Sequence, residues 1–214
     1  MKSAPTIGKI SLEDLDPICR ELSANDPSIR RAYERYGAPP LWAREPSFAT
    51  LIHIILEQQV SLASAKAAYE KLMDTVGEIT PENILALSDE EMRAAYFSRQ
   101  KAVYARELSK AVIEKRLVIG KLGKLPDREV RTTLTQVKGI GRWTSDIFLL
   151  MCLCRPDVMP VGDIALHQAW KELRGLETRP TSKDFPSIAE RWRPYRSVAA
   201  RLLWHFYLSE RGRS

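Results

Sequence analysis

Cysteine is scarce in this chain. Only Cys19, Cys152 and Cys154 occur in 214 residues. Three thiols cannot all pair within one chain, no two stand at CxxC spacing, and a four-cysteine iron–sulfur cluster is excluded by number. Cys152 and Cys154 close the apolar run Ile147-Phe148-Leu149-Leu150-Met151 and read as small buried hydrophobes. Histidine is as sparse. His53, His167 and His205 never stand at HxxxH spacing, so no metal site is expected; the one arrangement that could form a dyad or a metal pair is Asp163 with His167, four residues apart on one helical face. No apolar run reaches the ~18 residues needed to cross a bilayer. Met1-Lys2-Ser3-Ala4-Pro5 carries no apolar signal core, so the expected compartment is the cytoplasm, with no membrane partner. Sustained period-two alternation is missing, which argues against a substantial sheet. Repeats and low-complexity tracts are absent. A P-loop or dinucleotide fingerprint is excluded too, because Gly139-Ile140-Gly141 lacks both a third glycine and a preceding strand.

What is present is helical periodicity. Phe48, Leu51, Ile52 and Ile55 fall on one apolar helix face. Ser61 can cap a helix whose inward stripe is Leu62, Ala65, Tyr69 and Leu72. Ser88-Asp89-Glu90-Glu91 is a capping box, and Ser98 can start a longer helix running to about Arg116. Asp26-Pro27 and Thr80-Pro81 place proline in a first helical turn. Asp127 can cap a helix leading to Val137, and Arg142 opens another. The clearest loop is Gly120-Lys121-Leu122-Gly123-Lys124-Leu125-Pro126; Ala38-Pro39-Pro40 and Thr178-Arg179-Pro180-Thr181 are others. The expected fold class is all-α. It would be a single unit of two helical lobes flanking an active-site cleft, with residues 47–160 as the central lobe and residues 1–46 plus 161–214 as the second. With 44% hydrophobic and 28% charged residues the chain has the composition of a soluble globular protein. Its net charge of +6 favours a polyanionic partner.

The richest stretch is Val137-Lys138-Gly139-Ile140-Gly141-Arg142-Trp143-Thr144. Two glycines bracket one aliphatic residue between two apolar helical runs, the pattern of a helix-hairpin-helix. Glycine takes the backbone angles of a tight turn without a Cβ clash. It also lets the N–H groups of Gly139 and Gly141 come close to a phosphate oxygen. The helix starting near Arg142 adds its positive end, and Lys138, Arg142 and the Thr144 hydroxyl add further donors. Ile140 would tuck inward and fix the turn. Such contacts hold a nucleic-acid backbone without reading sequence. Asp163 follows 22 positions after Gly141, in Met159-Pro160-Val161-Gly162-Asp163. Each feature also has a plain structural reading. The glycines could make an ordinary helix C-cap. Asp163 could simply cap the helix Ile164 to Leu173. Gln58-Gln59 could be a polar helix end, and the tryptophans could be core.

From Val137 to Asp163 the chain resembles the helix-hairpin-helix DNA glycosylases, which carry a Gly/Pro-rich loop and a single aspartate after the hairpin. Within them it is most similar to the DNA-3-methyladenine glycosylase II branch, the alkylpurine glycosylases. The resemblance is carried by four segments spread over about residues 46 to 207: Ile55-Leu56-Glu57-Gln58-Gln59-Val60-Ser61, Gly139-Ile140-Gly141-Arg142-Trp143-Thr144, Met159-Pro160-Val161-Gly162-Asp163, and Trp192-Arg193-Pro194-Tyr195-Arg196-Ser197 with Trp204 downstream. It implies a helix-hairpin-helix glycosylase fold, Asp163 as the catalytic carboxylate, and a Gln58–Ser61 loop that enters double-stranded DNA near the vacated base. It implies that Trp143 and Trp204 wall the base pocket. Hairpins of this family can hold a monovalent cation on backbone carbonyls; no other cofactor is expected. Three departures stand out. Endonuclease III-type members carry a lysine directly after the Gly-x-Gly-Arg where this chain has Trp143, so Schiff-base strand cleavage is not expected. The extra N-terminal β-rich domain of some members has too few residues here to fit. The aromatic residue four positions after the hairpin tryptophan is replaced by Ile147.

The chemistry implied is base excision from damaged duplex DNA by a protein expected to act as a monomer. A glycosylase must first extrude its nucleotide, at a cost of a few kcal/mol that is smallest for a damaged or mispaired base. Gln59 is the candidate plug for the hole, with Gln58 and Val60 as rivals. A purine such as 3-methyladenine already carries positive charge and leaves readily. What remains is to stabilise the charge growing on the sugar and to place a water, both suited to a carboxylate at Asp163. Indoles at Trp143 and Trp204 would attract a cationic base by roughly 0.5–2 kcal/mol each. Two other readings stay open: a glycosylase for deaminated or oxidised bases, and a non-catalytic DNA-binding module.

Overall fold

The computed structural model describes residues 8–213; the Met1-Lys2-Ser3-Ala4-Pro5 segment considered above for targeting lies outside the described residues. Among the described residues there is no strand. Thirteen α-helices follow in order among the described residues: α1 Leu15–Asn25, α2 Pro27–Tyr36, α3 Phe48–Glu57, α4 Leu62–Val76, α5 Pro81–Ala86, α6 Asp89–Ala94, α7 Arg99–Ile113, α8 Ile119–Leu122, α9 Asp127–Thr135, α10 Arg142–Ile147, α11 Ile164–Arg174, α12 Phe185–Ala189 and α13 Arg196–Ser209. A π-helical turn covers Phe148–Cys152. The chain divides into two compact units, one of residues 44–148 and one of residues 1–43 with 149–214.

The unit of residues 44–148 is organised on α3. Leu51, Ile52, Ile54, Ile55 and Leu56 of this helix are fully buried, each worth roughly 1.5–3 kcal/mol relative to exposure. Helices α4, α7 and α10 pack against it. Most of its helix starts follow from local sequence. The hydroxyls of Ser47, Ser61, Thr80, Ser88 and Ser98 each accept a backbone N–H of the first turn, and Ser88 with Glu91 completes the capping box. Four expectations change. Leu62 stands outside the inward stripe: as first residue of α4 it is 58% exposed, and Ala65, Ala68 and Leu72 carry the buried face. Helix α7 stops at Ile113 rather than near Arg116, because Lys115 turns left-handed (φ 58°) and the Leu117 N–H returns to the Ala111 carbonyl at 2.9 Å. The loop from Gly120 holds part of the short helix α8, whose Leu122 is buried. Asp127 is the first residue inside α9, which ends at Thr135, while Pro126 occupies the cap position.

The second unit is built on α13, where Val198, Ala199, Ala200, Leu202, Leu203 and Phe206 are buried. Helices α1, α2 and α11 pack on it. Asp26 caps α2 by accepting the Ser28 N–H at 2.8 Å, and its other oxygen takes the Trp192 indole N–H at 3.0 Å. Arg201 lies wholly inside. Its guanidinium donates to the carbonyls of Leu41 (2.8 Å), Ser197 (3.2 Å) and Leu150 (2.8 Å), which replaces the water it has lost. Burial pulls its pKa down to about 10, so it stays charged at neutral pH.

Candidate active site

The hairpin joins α9 to α10 through residues 136–141. Val137 and Ile140 are buried and anchor it. Gly139 has φ 97°, and a Cβ there would overlap the Tyr104 ring, so this position admits glycine for both its backbone and its packing. Gly141 differs: its φ is −95° and a Cβ would meet nothing within 4 Å. The Ile140 N–H closes the turn on the Val137 carbonyl at 3.0 Å, whereas among the described residues neither the Gly139 nor the Gly141 N–H donates to another backbone group. Lys138 and Arg142 are exposed beside them. The Arg142 Nε donates to Asp146 at 2.8 Å, and Arg131 Nε donates to the other oxygen of the same carboxylate at 2.6 Å. Asp146 is completely buried. This pair of arginines on one hidden carboxylate fixes α9 and α10 to each other, and sequence reading passed over it because Asp146 sits in an otherwise apolar stretch.

The Gln58–Ser61 loop is divided in its roles. The Gln58 side chain turns inward, donating to the Gly139 carbonyl at 2.9 Å and to the Thr144 hydroxyl at 3.0 Å. That corrects two expectations. Gln58 is a tether between the loop and the hairpin rather than a plug, and the Thr144 hydroxyl is buried against it rather than turned out as a phosphate donor. Gln59 stands at the tip, exposed and left-handed (φ 57°). Val60 is exposed and lines an open groove of about 360 Å³ with Leu56, Tyr96 and Lys101. The Lys101 ammonium donates to the Leu56 carbonyl at 2.7 Å, and burial holds its pKa below the usual lysine value. The Ser61 hydroxyl is taken up in capping α4, accepting the Ser64 N–H at 3.1 Å. The two inner carbonyls of the turn, Val137 and Gly139, are engaged by the Ile140 N–H and the Gln58 amide.

Asp163 caps α11, and it does more than cap. Its Oδ1 accepts the N–H groups of Ala165 (3.0 Å) and Leu166 (3.2 Å), and also the indole N–H of Trp204 at 3.2 Å. The approach to it is held by the Asp163 N–H on the Pro160 carbonyl at 3.0 Å. The His167 Nε2 meets the Val161 carbonyl at 2.5 Å, and the ring lies against Phe185 with centroids 4.3 Å apart. Because a carbonyl only accepts, Nε2 carries the proton there. His167 thereby braces the loop before Asp163. Ile164, next along, is 66% exposed. Trp143, on α10, is partly buried. Trp204 is 8% exposed, with its one polar atom committed to Asp163.

The fold is helical, with a glycine hairpin and, 22 residues on, an aspartate held at a helix start by two backbone amides and an indole. The HhH-GPD superfamily of base excision DNA repair proteins matches residues 52–194, and the chain belongs to that superfamily. It is 33% identical to DNA-3-methyladenine glycosylase 1 of Schizosaccharomyces pombe, over 75% of this chain and 72% of that protein. A Bacillus subtilis protein, YfjP, is 28% identical over 83% of this chain, which spans 64% of that relative's length. Among solved structures, the 3-methyladenine DNA glycosylase of Schizosaccharomyces pombe in complex with abasic DNA superposes with a TM-score of 0.83 at 28% identity, covering 91% of this chain and 97% of that one. None of the helices among the described residues is long and apolar enough to cross a membrane.

Proposed function

We propose that this protein is a monofunctional DNA glycosylase that hydrolyses the N-glycosidic bond of alkylated purines of the 3-methyladenine and 7-methylguanine type. The observation that carries this reading is the Asp163 carboxylate, fixed through Oδ1 by two backbone amides and an indole. Preorganised groups aimed at developing charge are the largest lever an active site has. As the C1′–N bond lengthens, its electron pair leaves with the cationic base and neutralises it. Positive charge then grows on the deoxyribose, where the carboxylate stabilises it. A water adds at C1′ and loses its proton, leaving an abasic site and free base. The Gly139 and Gly141 amides, with Lys138 and Arg142, hold the DNA backbone, and Gln59 fills the space of the extruded nucleotide. Trp143 stands where a lysine would have to form a Schiff base, so the abasic strand stays intact. The names of the relatives support the alkylpurine substrate.

The test is mass-spectrometric detection of bases released from methylated duplex DNA. Wild type is expected to release 3-methyladenine or 7-methylguanine, and Asp163→Asn to be slower by on the order of a hundredfold or more. No nick should appear before alkaline treatment. Methylated DNA left intact by wild type, or an Asp163→Asn variant as fast as wild type, removes the reading; release of deaminated or oxidised bases instead would move the specificity.

A further inference from the structure

We propose that Trp204 is a positioning residue for Asp163, acting through its indole N–H rather than as the aromatic wall of a base pocket; this rests on the glycosylase reading above. An indole has one donor and no acceptor, and here that donor is spent on Asp163 Oδ1 at 3.2 Å. A ring that is only 8% exposed has little face left on which a base could stack.

The geometry also explains why a third donor is useful. Capping a helix needs only the two amides that Ala165 and Leu166 supply. Both come from the helix that Asp163 itself begins. The indole comes from α13, which packs on α11 within the same unit. The backbone at Asp163 is already set by its N–H on Pro160 and by His167 on the Val161 carbonyl. The indole brings a donor from a second helix to the same oxygen, so turning the carboxyl group away breaks a contact that α11 does not supply. A carboxylate fixed in plane meets the sugar charge without reorganising.

The experiment compares wild type with Trp204→Phe, which keeps an aromatic face and drops the N–H. Two quantities are read: the single-turnover rate of 7-methylguanine release, and the affinity for a duplex carrying a non-hydrolysable 2′-fluoro analogue of the same lesion. Trp204→Phe is expected to slow release on the order of tenfold to a hundredfold, the range for losing an outer hydrogen bond to a reacting group, while affinity for the base-containing analogue holds. An unchanged rate overturns the proposal. So does a loss of affinity that matches the loss of rate, which is what a stacking wall predicts. A third reading needs neither activity nor a stable Trp204 variant: the Trp204 indole proton resonance should move upfield in Asp163→Ala, and a resonance that stays put overturns the proposal even in an active enzyme. A wild-type protein that releases no base fails the glycosylase reading before any Trp204 variant is made, so the two failures are told apart.

Discussion

The two glycines of the hairpin look alike in sequence and are held by different physics. Gly139 is required by the fold: at φ 97° and against the Tyr104 ring, any side chain is strained and collides. Gly141 has ordinary angles and open space around it, so its lack of a side chain serves whatever approaches from outside. Gly139→Ala is therefore expected to lower stability by about 1–3 kcal/mol, the cost of a non-glycine residue in such a region, read as a shift in urea midpoint. Gly141→Ala is expected to keep the midpoint within about 0.5 kcal/mol, as substitutions away from special geometry do, and yet to weaken binding to duplex DNA. A Gly141→Ala protein with full DNA affinity would take that amide out of the interface.

At the scale of elements, the ion cluster under the hairpin makes an asymmetric demand. Asp146 is completely buried, Arg131 is 20% exposed and Arg142 is 65% exposed. Removing the carboxylate leaves two arginines that water can reach; removing Arg131 leaves a hidden carboxylate with its exposed partner alone. Arg131→Met is accordingly expected to cost more than Asp146→Leu, on the order of 3–5 kcal/mol where a buried charge loses its partner, measured by thermal or urea unfolding. The reverse order would show that Arg142 alone suffices. The cluster also marks the boundary of what sequence disclosed. Capping residues were legible because cap and amide lie within three residues, and α3 was legible from its apolar face. The Asp163 cap was readable for the same reason. Contacts between distant positions were not: Gln58 reaches Gly139 across 81 residues and Trp204 reaches Asp163 across 41. Local pattern gives a glutamine at a helix end no reason to turn inward. Leu62 misled in the opposite way, its place in the apolar period overridden by its position at the first turn of α4.

For the molecule as a whole, the groups proposed for binding and for chemistry lie in separate parts of the chain. The hairpin and the Gln59 loop belong to the unit of residues 44–148, and Asp163 and Trp204 to the other. A net charge of +6 supplies attraction to any polyanion, and sequence-independent phosphate contacts make such binding fall steeply with salt. The two contributions can be dissected through that dependence. Lys138→Ala removes a charge beside the exposed hairpin amides, so the slope of log affinity against log salt is expected to become shallower by about one. Asp163→Asn changes chemistry without removing a phosphate contact, so it is expected to keep the wild-type slope while losing base release. Both are read by fluorescence anisotropy with one labelled duplex over a salt series. A Lys138→Ala slope equal to wild type would place the strand somewhere other than the hairpin. An Asp163→Asn slope that changed as much as that of Lys138→Ala would mean that the carboxylate acts on the bound backbone rather than on the sugar.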